Sequence, residues 1–204
     1  MIRILVADDH PVLRDGIAAM LENQEDMELV GEAADGSEAV ERFRSLRPDV
    51  VLMDLQMPGI DGLEAITSIR AEDPNARILV LTTFAGDVQA VRALKAGATG
   101  YLLKNSLRTE MLSAIRSVSK GVRHIHREVA DGIAHHVADE TLTEREISVL
   151  KLIAFGRGNK QVAHELGVSE ETVKAHLKVI YEKLHVSDRT HAITVANQRG
   201  IFLL

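Results

Sequence analysis

The chain has 204 residues, 46% of them hydrophobic, a formal net charge of −6 and no cysteine. That length suggests one or two domains with a proper core, excludes disulfides and thiolate metal sites, and fits a reducing cytoplasm. No apolar run approaches the ~20 residues needed to span a bilayer, and the apolar start soon meets Asp8 and Asp9, so it reads as a strand and not as a signal peptide.

Ile2 to Ala7 is the first strand, ending in Asp8-Asp9-His10-Pro11. Pro11 suits the first turn of a helix, and Val12, Leu13, Ile17, Met20 and Leu21 fall on one face of it. Leu29 to Ala33 is a second strand, and Ala39, Val40, Phe43 and Leu46 mark a second helix closed by Pro48. Val50-Val51-Leu52-Met53 then runs straight into Asp54, with Met57-Pro58-Gly59 close behind. An apolar run of that length bounded by turn signals reads as a strand buried on both faces. A helix from Gly62 to Ile69, a strand from Ile78 to Thr82, a helix around Val88 to Leu94 capped by Gly97, a strand from Tyr101 to Lys104 and a helix from Leu107 to Val118 complete the series. Five strands alternating with five helices predict a doubly wound parallel α/β sheet over residues 1–121. Residues 122–139 break the pattern and read as a linker, helical in part around Val129, Ile133 and Val137. Its four histidines, His124, His126, His135 and His136, lack a clear ligand spacing and suit an exposed linker better than a metal site. Residues 140–204 are helical only.

The charge is unevenly spread. Residues 1–120 hold 13 Lys/Arg against 19 Asp/Glu, whereas residues 141–204 hold 9 against 7. The first part suits a cation and disfavours nucleic acid; only the second tolerates a phosphate backbone. In a doubly wound sheet the carboxyl ends of the strands share one edge, which brings Asp8, Asp9, Asp54, Thr82 and Lys104 together. Three carboxylates in one crevice repel one another unless a cation joins them, and a hard divalent ion such as Mg2+ answers this while making Asp54 a tolerable nucleophile toward phosphorus. A hydroxyl at Thr82 and an ammonium at Lys104 would bind phosphoryl oxygens. The ordinary alternative, a lone Asp at a strand end serving as turn former or helix cap, explains each residue singly but not the set.

With Asp8-Asp9, Asp54, Met57-Pro58-Gly59-Ile60-Asp61-Gly62, Thr82, Gly97-Ala98-Thr99-Gly100-Tyr101 and Lys104, residues 1 to about 120 resemble a response-regulator receiver domain. The resemblance implies a flavodoxin-like strand order 2-1-3-4-5 and phosphorylation of Asp54 by a partner histidine kinase. It also implies Mg2+ held by Asp9, Asp54 and the backbone carbonyl of Gln56, with Asp8 assisting, and a switch made of Thr82 and Tyr101. Asn105 follows Lys104 where many receivers carry Pro. Phe84, two residues past Thr82, reads either as a gate on the water that removes the phosphoryl group or as a surface aromatic at a subunit contact.

In the last part, Thr143-Glu144-Arg145-Glu146 is a capping box, and Ile147, Leu150, Ile153 and Ala154 give its helix a buried stripe. Asn159 is placed to cap a short helix that Gly167 stops, and Ser169 caps a longer one from Glu170 to Leu184. Short helix, Gly turn and longer helix form a helix-turn-helix, followed by a fourth helix from near Asp188. Val173, Leu177, Ile180 and Leu184 face the core, which leaves Lys174, Ala175 and Lys178 on the outer face. Two cations flanking a small residue suit a helix entering a major groove; two surface lysines on an ordinary helix are the plain alternative. Leu142 to Glu146, Asn159-Lys160, Val162-Ala163, Ser169, Thr172 to His176 and Lys183-Leu184 with Arg189-Thr190 are similar to a LuxR-type DNA-binding domain. That similarity implies DNA contacts by Lys174, Ala175 and Lys178, phosphate contacts by Lys160 and Thr172, and a dimer surface on the fourth helix. Both halves together resemble the NarL/FixJ type of transcriptional regulator. The expectation is a cytoplasmic factor, not an enzyme beyond slow self-dephosphorylation, that on phosphorylation dimerises on paired DNA half-sites or frees its recognition helix. Two rival readings fit the residues less well. An aspartate-nucleophile phosphatase places its nucleophile and a second Asp two apart after the first strand, whereas Asp8 and Asp9 are adjacent. A regulator working without phosphorylation leaves the acidic residues unexplained.

Overall fold

The structure is a computed structural model that describes residues 1–83, 87–138 and 142–202. Packing divides the chain into two compact units, residues 1–83 with 90–129 and residues 84–89 with 130–204. No helix among the described residues is long and apolar enough to cross a membrane.

The first unit is built on a parallel sheet of β1 (Ile2–Ala7), β2 (Met27–Ala33), β3 (Val50–Asp54), β4 (Ile78–Thr82), β5 (Gly100–Leu103) and β6 (His124–Ile125) in the order β2-β1-β3-β4-β5-β6. Every residue of β3 and β4 is buried, as a central parallel strand covered on both faces requires. Alternate residues serve opposite faces. Ile4, Val6, Val50, Leu52, Leu79, Leu81 and Leu102 pack with Ile17 and Leu21 of α1 (Pro11–Glu22) and Met111, Ile115 and Val118 of α5 (Leu107–Ser119). The intervening Leu5, Val51, Met53 and Val80 are buried on the other side. There α2 (Gly36–Leu46) and α3 (Gly62–Glu72) lie on the sheet, while α4 (Asp87–Ala96) connects β4 to β5.

The sheet has a sixth strand where the sequence predicts five. Gly100 and Tyr101 of β5 pair with His124 and Ile125, and the His126 amide donates to the Tyr101 carbonyl at 3.0 Å. Two residues are too few for an apolar period, and the pairing is main-chain, so side-chain pattern carries no sign of it. Helix α6 (Arg127–Ala138) follows directly, so most of the predicted linker is regular structure. His124 and His126 are not on an exposed loop: both are half-buried, with Nε2 atoms 3.7 and 3.4 Å from the Glu110 carboxylate on α5. The side chains of His135 and His136 lie outside the described residues.

The second unit contains α7 (Glu144–Ala154), α8 (Asn159–Leu166), α9 (Glu170–Leu184) and α10 (Arg189–Gln198). Its core joins Val149, Leu150 and Ile153 with Val162, Val173, Leu177, Ile180, Leu184, Ala192 and Ala196. The predicted capping box is present, Thr143 Oγ1 accepting from the Glu146 amide and the Glu146 carboxylate accepting from the Thr143 amide at 2.8 Å. Glu146 is buried and also meets Lys183 Nζ at 2.9 Å, which ties α7 to α9. The Thr143 amide and the Lys183 ammonium outweigh the upward push of burial and hold the Glu146 pKa below its ordinary value. Asn159 is the first residue of α8 and not its cap; Gly158 takes that place, its amide donating to Gln161 Oε1.

Candidate functional site

Three loops at one edge of the sheet deliver the acidic residues and Lys104. β1 ends at Ala7, and the Asp8 amide donates to the Ala33 carbonyl, which fixes the start of the β1–α1 loop. Arg14 braces that loop from α1, giving Nη1 to the Asp8 carbonyl at 2.7 Å and Nε to Glu32 at 2.9 Å. Asp54 is the last residue of β3, and the chain turns so closely there that Gly62, at the head of α3, has no room for a side chain: a Cβ would lie 1.9 Å from the Asp54 carbonyl oxygen. Asp61 caps α3 by accepting from the Glu64 amide at 2.9 Å. Lys104 opens a 3-10 turn, Lys104–Ser106, immediately after β5.

These loops bring the predicted residues together. One donor atom from each of Asp8, Asp9, His10 and Asp54 lies within 4.8 Å of the others. Asp8 and Asp54 are buried, Asp9 only partly. Lys104 Nζ is 2.8 Å from Asp8 Oδ2 and 2.8 Å from Asp54 Oδ2, so one ammonium bridges carboxylates from the first and third strands. Burial raises the Asp54 pKa above its ordinary value; the Lys104 ammonium opposes this, and the Asp8 charge adds to it. Burial alone would lower the Lys104 pKa, but its hydrogen bonds to Asp54 and Asp8 win and raise it. The other Asp54 oxygen, Oδ1, accepts from the Gln56 amide at 3.2 Å. Asp54 thus sits as a carboxylate whose charge is costly unless a positive group stays close.

Thr82, the last residue of β4, and Tyr101, on β5, are fully buried. The two hydroxyls are hydrogen-bonded to each other, and burial pushes the Tyr101 phenol well above its ordinary pKa despite that bond. The ring is therefore already inside the unit. Phe84 lies outside the described residues.

The donor set of three carboxylate side chains is the hard oxygen chemistry that a divalent cation such as Mg2+ takes. Two neighbours went unassigned from sequence: Arg14, for which sequence offers no signal beyond helical spacing, and His10, whose position directly after the acid pair is one. His10 Nδ1 is 3.0 Å from Asp8 Oδ1 and 2.7 Å from Asp9 Oδ1.

On the second unit, Gly167 turns the chain from α8 into α9 with φ +66°, and Ser169 caps α9 by accepting from the Thr172 amide at 3.0 Å. Val173, Leu177, Ile180 and Leu184 are buried as predicted, and Lys174, Ala175 and Lys178 are exposed on one face. Lys174 Nζ is 3.3 Å from Glu171, an exposed i,i+3 pair of little energetic weight. Lys160 is exposed; Thr172 is half-buried, its hydroxyl 2.8 Å from that of Ser169.

Comparison with known proteins covers both units. Residues 4–116 match the family model of the response regulator receiver domain, and residues 140–196 match that of bacterial regulatory proteins of the luxR family. The transcriptional regulatory protein LiaR of Bacillus subtilis (strain 168) is 44% identical, over 98% of this chain and 99% of its own. The response regulator protein VraR of Staphylococcus aureus (strain Mu3 / ATCC 700698) is 39% identical over 98% of each. Among solved structures, RcsB from Salmonella enterica serovar Typhimurium, bound to a promoter in the presence of a phosphomimetic, aligns over 97% of this chain and 98% of that one, with TM-score 0.75 and 27% identity. A receiver domain followed by a LuxR-type DNA-binding domain makes the chain a member of the transcriptional response regulators.

Proposed function

We propose that Asp54 accepts a phosphoryl group from a partner histidine kinase, and that this event controls DNA binding by α9. The observation that carries the reading is the convergence of Asp8, Asp9 and Asp54 within reach of one ion, with Lys104 bridging two of them. In the transfer, an Asp54 carboxylate oxygen attacks phosphorus, the P–N bond of a phosphohistidine breaks, and the imidazole leaves with the electron pair. Mg2+ would be held by Asp9, Asp54 and the Gln56 carbonyl with help from Asp8, and when bound it supplies charge neutralisation at the phosphoryl oxygens. Lys104 gives its ammonium to a phosphoryl oxygen, and the Thr82 hydroxyl trades the Tyr101 phenol for a charged acceptor. Tyr101 loses a partner in that trade, and its strand carries the change onward.

The domains that serve this division of labour are a receiver over residues 1–121, a connecting segment over 122–139 and a DNA-binding domain over 140–204. Lys174, Ala175 and Lys178 enter the major groove, while Lys160 and Thr172 meet phosphates. Phosphorylation favours a homodimer on paired half-sites, or release of α9, in the cytoplasm where kinase and promoter meet. RcsB, solved on a promoter with a phosphomimetic, supports this reading. The phosphoryl group is finally lost by slow hydrolysis at Asp54 itself.

The deciding experiment is phosphoryl uptake from acetyl phosphate, followed by intact-protein mass. Wild type gains one acid-stable, base-labile group in a Mg2+-dependent reaction, and Asp54→Asn gains none. Equal uptake by Asp54→Asn would refute the assignment.

A further inference from the structure

His10 caps the start of α1, and its amide donates to Asp8 Oδ1 at 2.9 Å, which turns the residue back over the acid pair. The ring nitrogen Nδ1 then lies 3.0 Å from Asp8 Oδ1 and 2.7 Å from Asp9 Oδ1. The hydrogen bond runs between Nδ1 and Asp8 Oδ1, while Asp9 Oδ1, though close, is buried without a hydrogen-bond partner among the described residues. The acid cluster is thus held from two sides. Lys104 takes the Oδ2 atoms of Asp8 and Asp54, and His10 meets Oδ1 of Asp8 with Oδ1 of Asp9 alongside. A cation drawn to Asp8, Asp9 and Asp54 lies within reach of the same nitrogen, which offers a lone pair in the tautomer that carries its hydrogen on Nε2. His10 is a member of the four-residue donor set by distance, not only by sequence adjacency.

We propose that His10 Nδ1 is a ligand of the divalent cation at this site, so that a centre otherwise made of oxygen favours Mn2+ over Mg2+. The proposal rests on the metal-dependent reading of Asp9 and Asp54 given above. Mg2+ takes oxygen donors and sheds its waters reluctantly, whereas imidazole nitrogen is a normal ligand for transition-metal ions. The ring is 66% exposed, which leaves it free to turn about its side-chain bonds to meet an ion without moving the strand.

The test loads full-length protein with Mn2+ and looks for nitrogen-14 modulation of the Mn2+ spin echo, alongside competition with Mg2+. Wild type should show the nitrogen signal, and His10→Ala should lose it, with Mn2+ affinity lower by about tenfold and the preference for Mn2+ over Mg2+ reduced. His164→Ala, His185→Ala and His191→Ala, which remove exposed imidazoles of the second unit, should each keep the signal. Mn2+ binding that depends on Asp54 but shows no nitrogen coupling, or coupling that survives in His10→Ala, would overturn the proposal and leave the metal site intact. Mn2+ binding indifferent to both Asp9→Asn and Asp54→Asn would refute the metal site itself, and the role of His10 with it.

Discussion

Replacing Lys104 with Ala removes the one ammonium that sits 2.8 Å from both Asp8 and Asp54. The three side chains are 12%, 0% and 2% exposed, so water cannot take over. At that distance and an effective dielectric constant of ~20, each attraction is about 6 kcal/mol gross. Most of this goes to offset the desolvation of three charges, and breaking a buried pair of this kind costs about 3 kcal/mol net. For a unit of this size that is a fall in Tm of about 10 °C. The sign of the pH dependence follows from Asp54. Its pKa is already raised by burial, and Lys104 is the chief opposing influence, so the variant raises it further. A carboxyl that holds its proton more tightly when folded makes stability fall as pH rises through that range. Lys104→Ala should therefore be close to wild type in acid and increasingly weaker toward pH 7, and either Mg2+ or a second change, Asp54→Asn, should restore it. Thermal unfolding at several pH values, with and without Mg2+, measures all of this. A variant that matches wild type at pH 7 without Mg2+ would show that the bridge has no energetic role.

Four further outcomes are expected. Gly62→Ala should lower stability by about 3 kcal/mol in urea unfolding and slow phosphoryl uptake, because the added Cβ meets the Asp54 backbone and not a yielding side chain. Lys183→Ala strands the buried Glu146 with only the Thr143 cap, at a cost of about 2 kcal/mol. The Glu146 pKa is depressed in the folded state, so wild-type stabilisation from this pair is present above the ordinary carboxylate range and disappears on acidification; the gap between variant and wild type should close as pH falls. Lys174→Ala should weaken binding to a cognate DNA fragment about tenfold and reduce the salt dependence by about one phosphate contact, read by fluorescence anisotropy across a salt series. Asp54→Asn should remove a buried like charge and raise Tm while abolishing uptake.

Most of the receiver sheet was legible because its signal is strong. Val50 to Met53 and Ile78 to Leu81 are continuous apolar runs that end in reactive side chains, and the topology of such sheets forces those ends onto one edge. The α9 face was legible from period alone, since Val173, Leu177, Ile180 and Leu184 assign the outer positions by elimination. What stayed hidden has a common cause. The β5–β6 pairing, the Arg14 brace on the Asp8 carbonyl and the Gly158 cap of α8 all use main-chain groups, which every residue carries and which pattern cannot mark. Likewise the approach of His10 to both carboxylates depends on how one turn leaves a strand, not on spacing.

The short strand β6 has a consequence of its own. Residues 124–126 follow α5 after a four-residue turn, and they are zipped by amide and carbonyl groups onto the very segment that bears Tyr101. A splice made of backbone is indifferent to side-chain replacement, so drift at His124, Ile125 or His126 leaves it whole. An imino acid at 126 cuts it by deleting the donor to the Tyr101 carbonyl. Evolution could thus rewrite the outgoing tether almost freely while the mooring next to the buried phenol stayed fast.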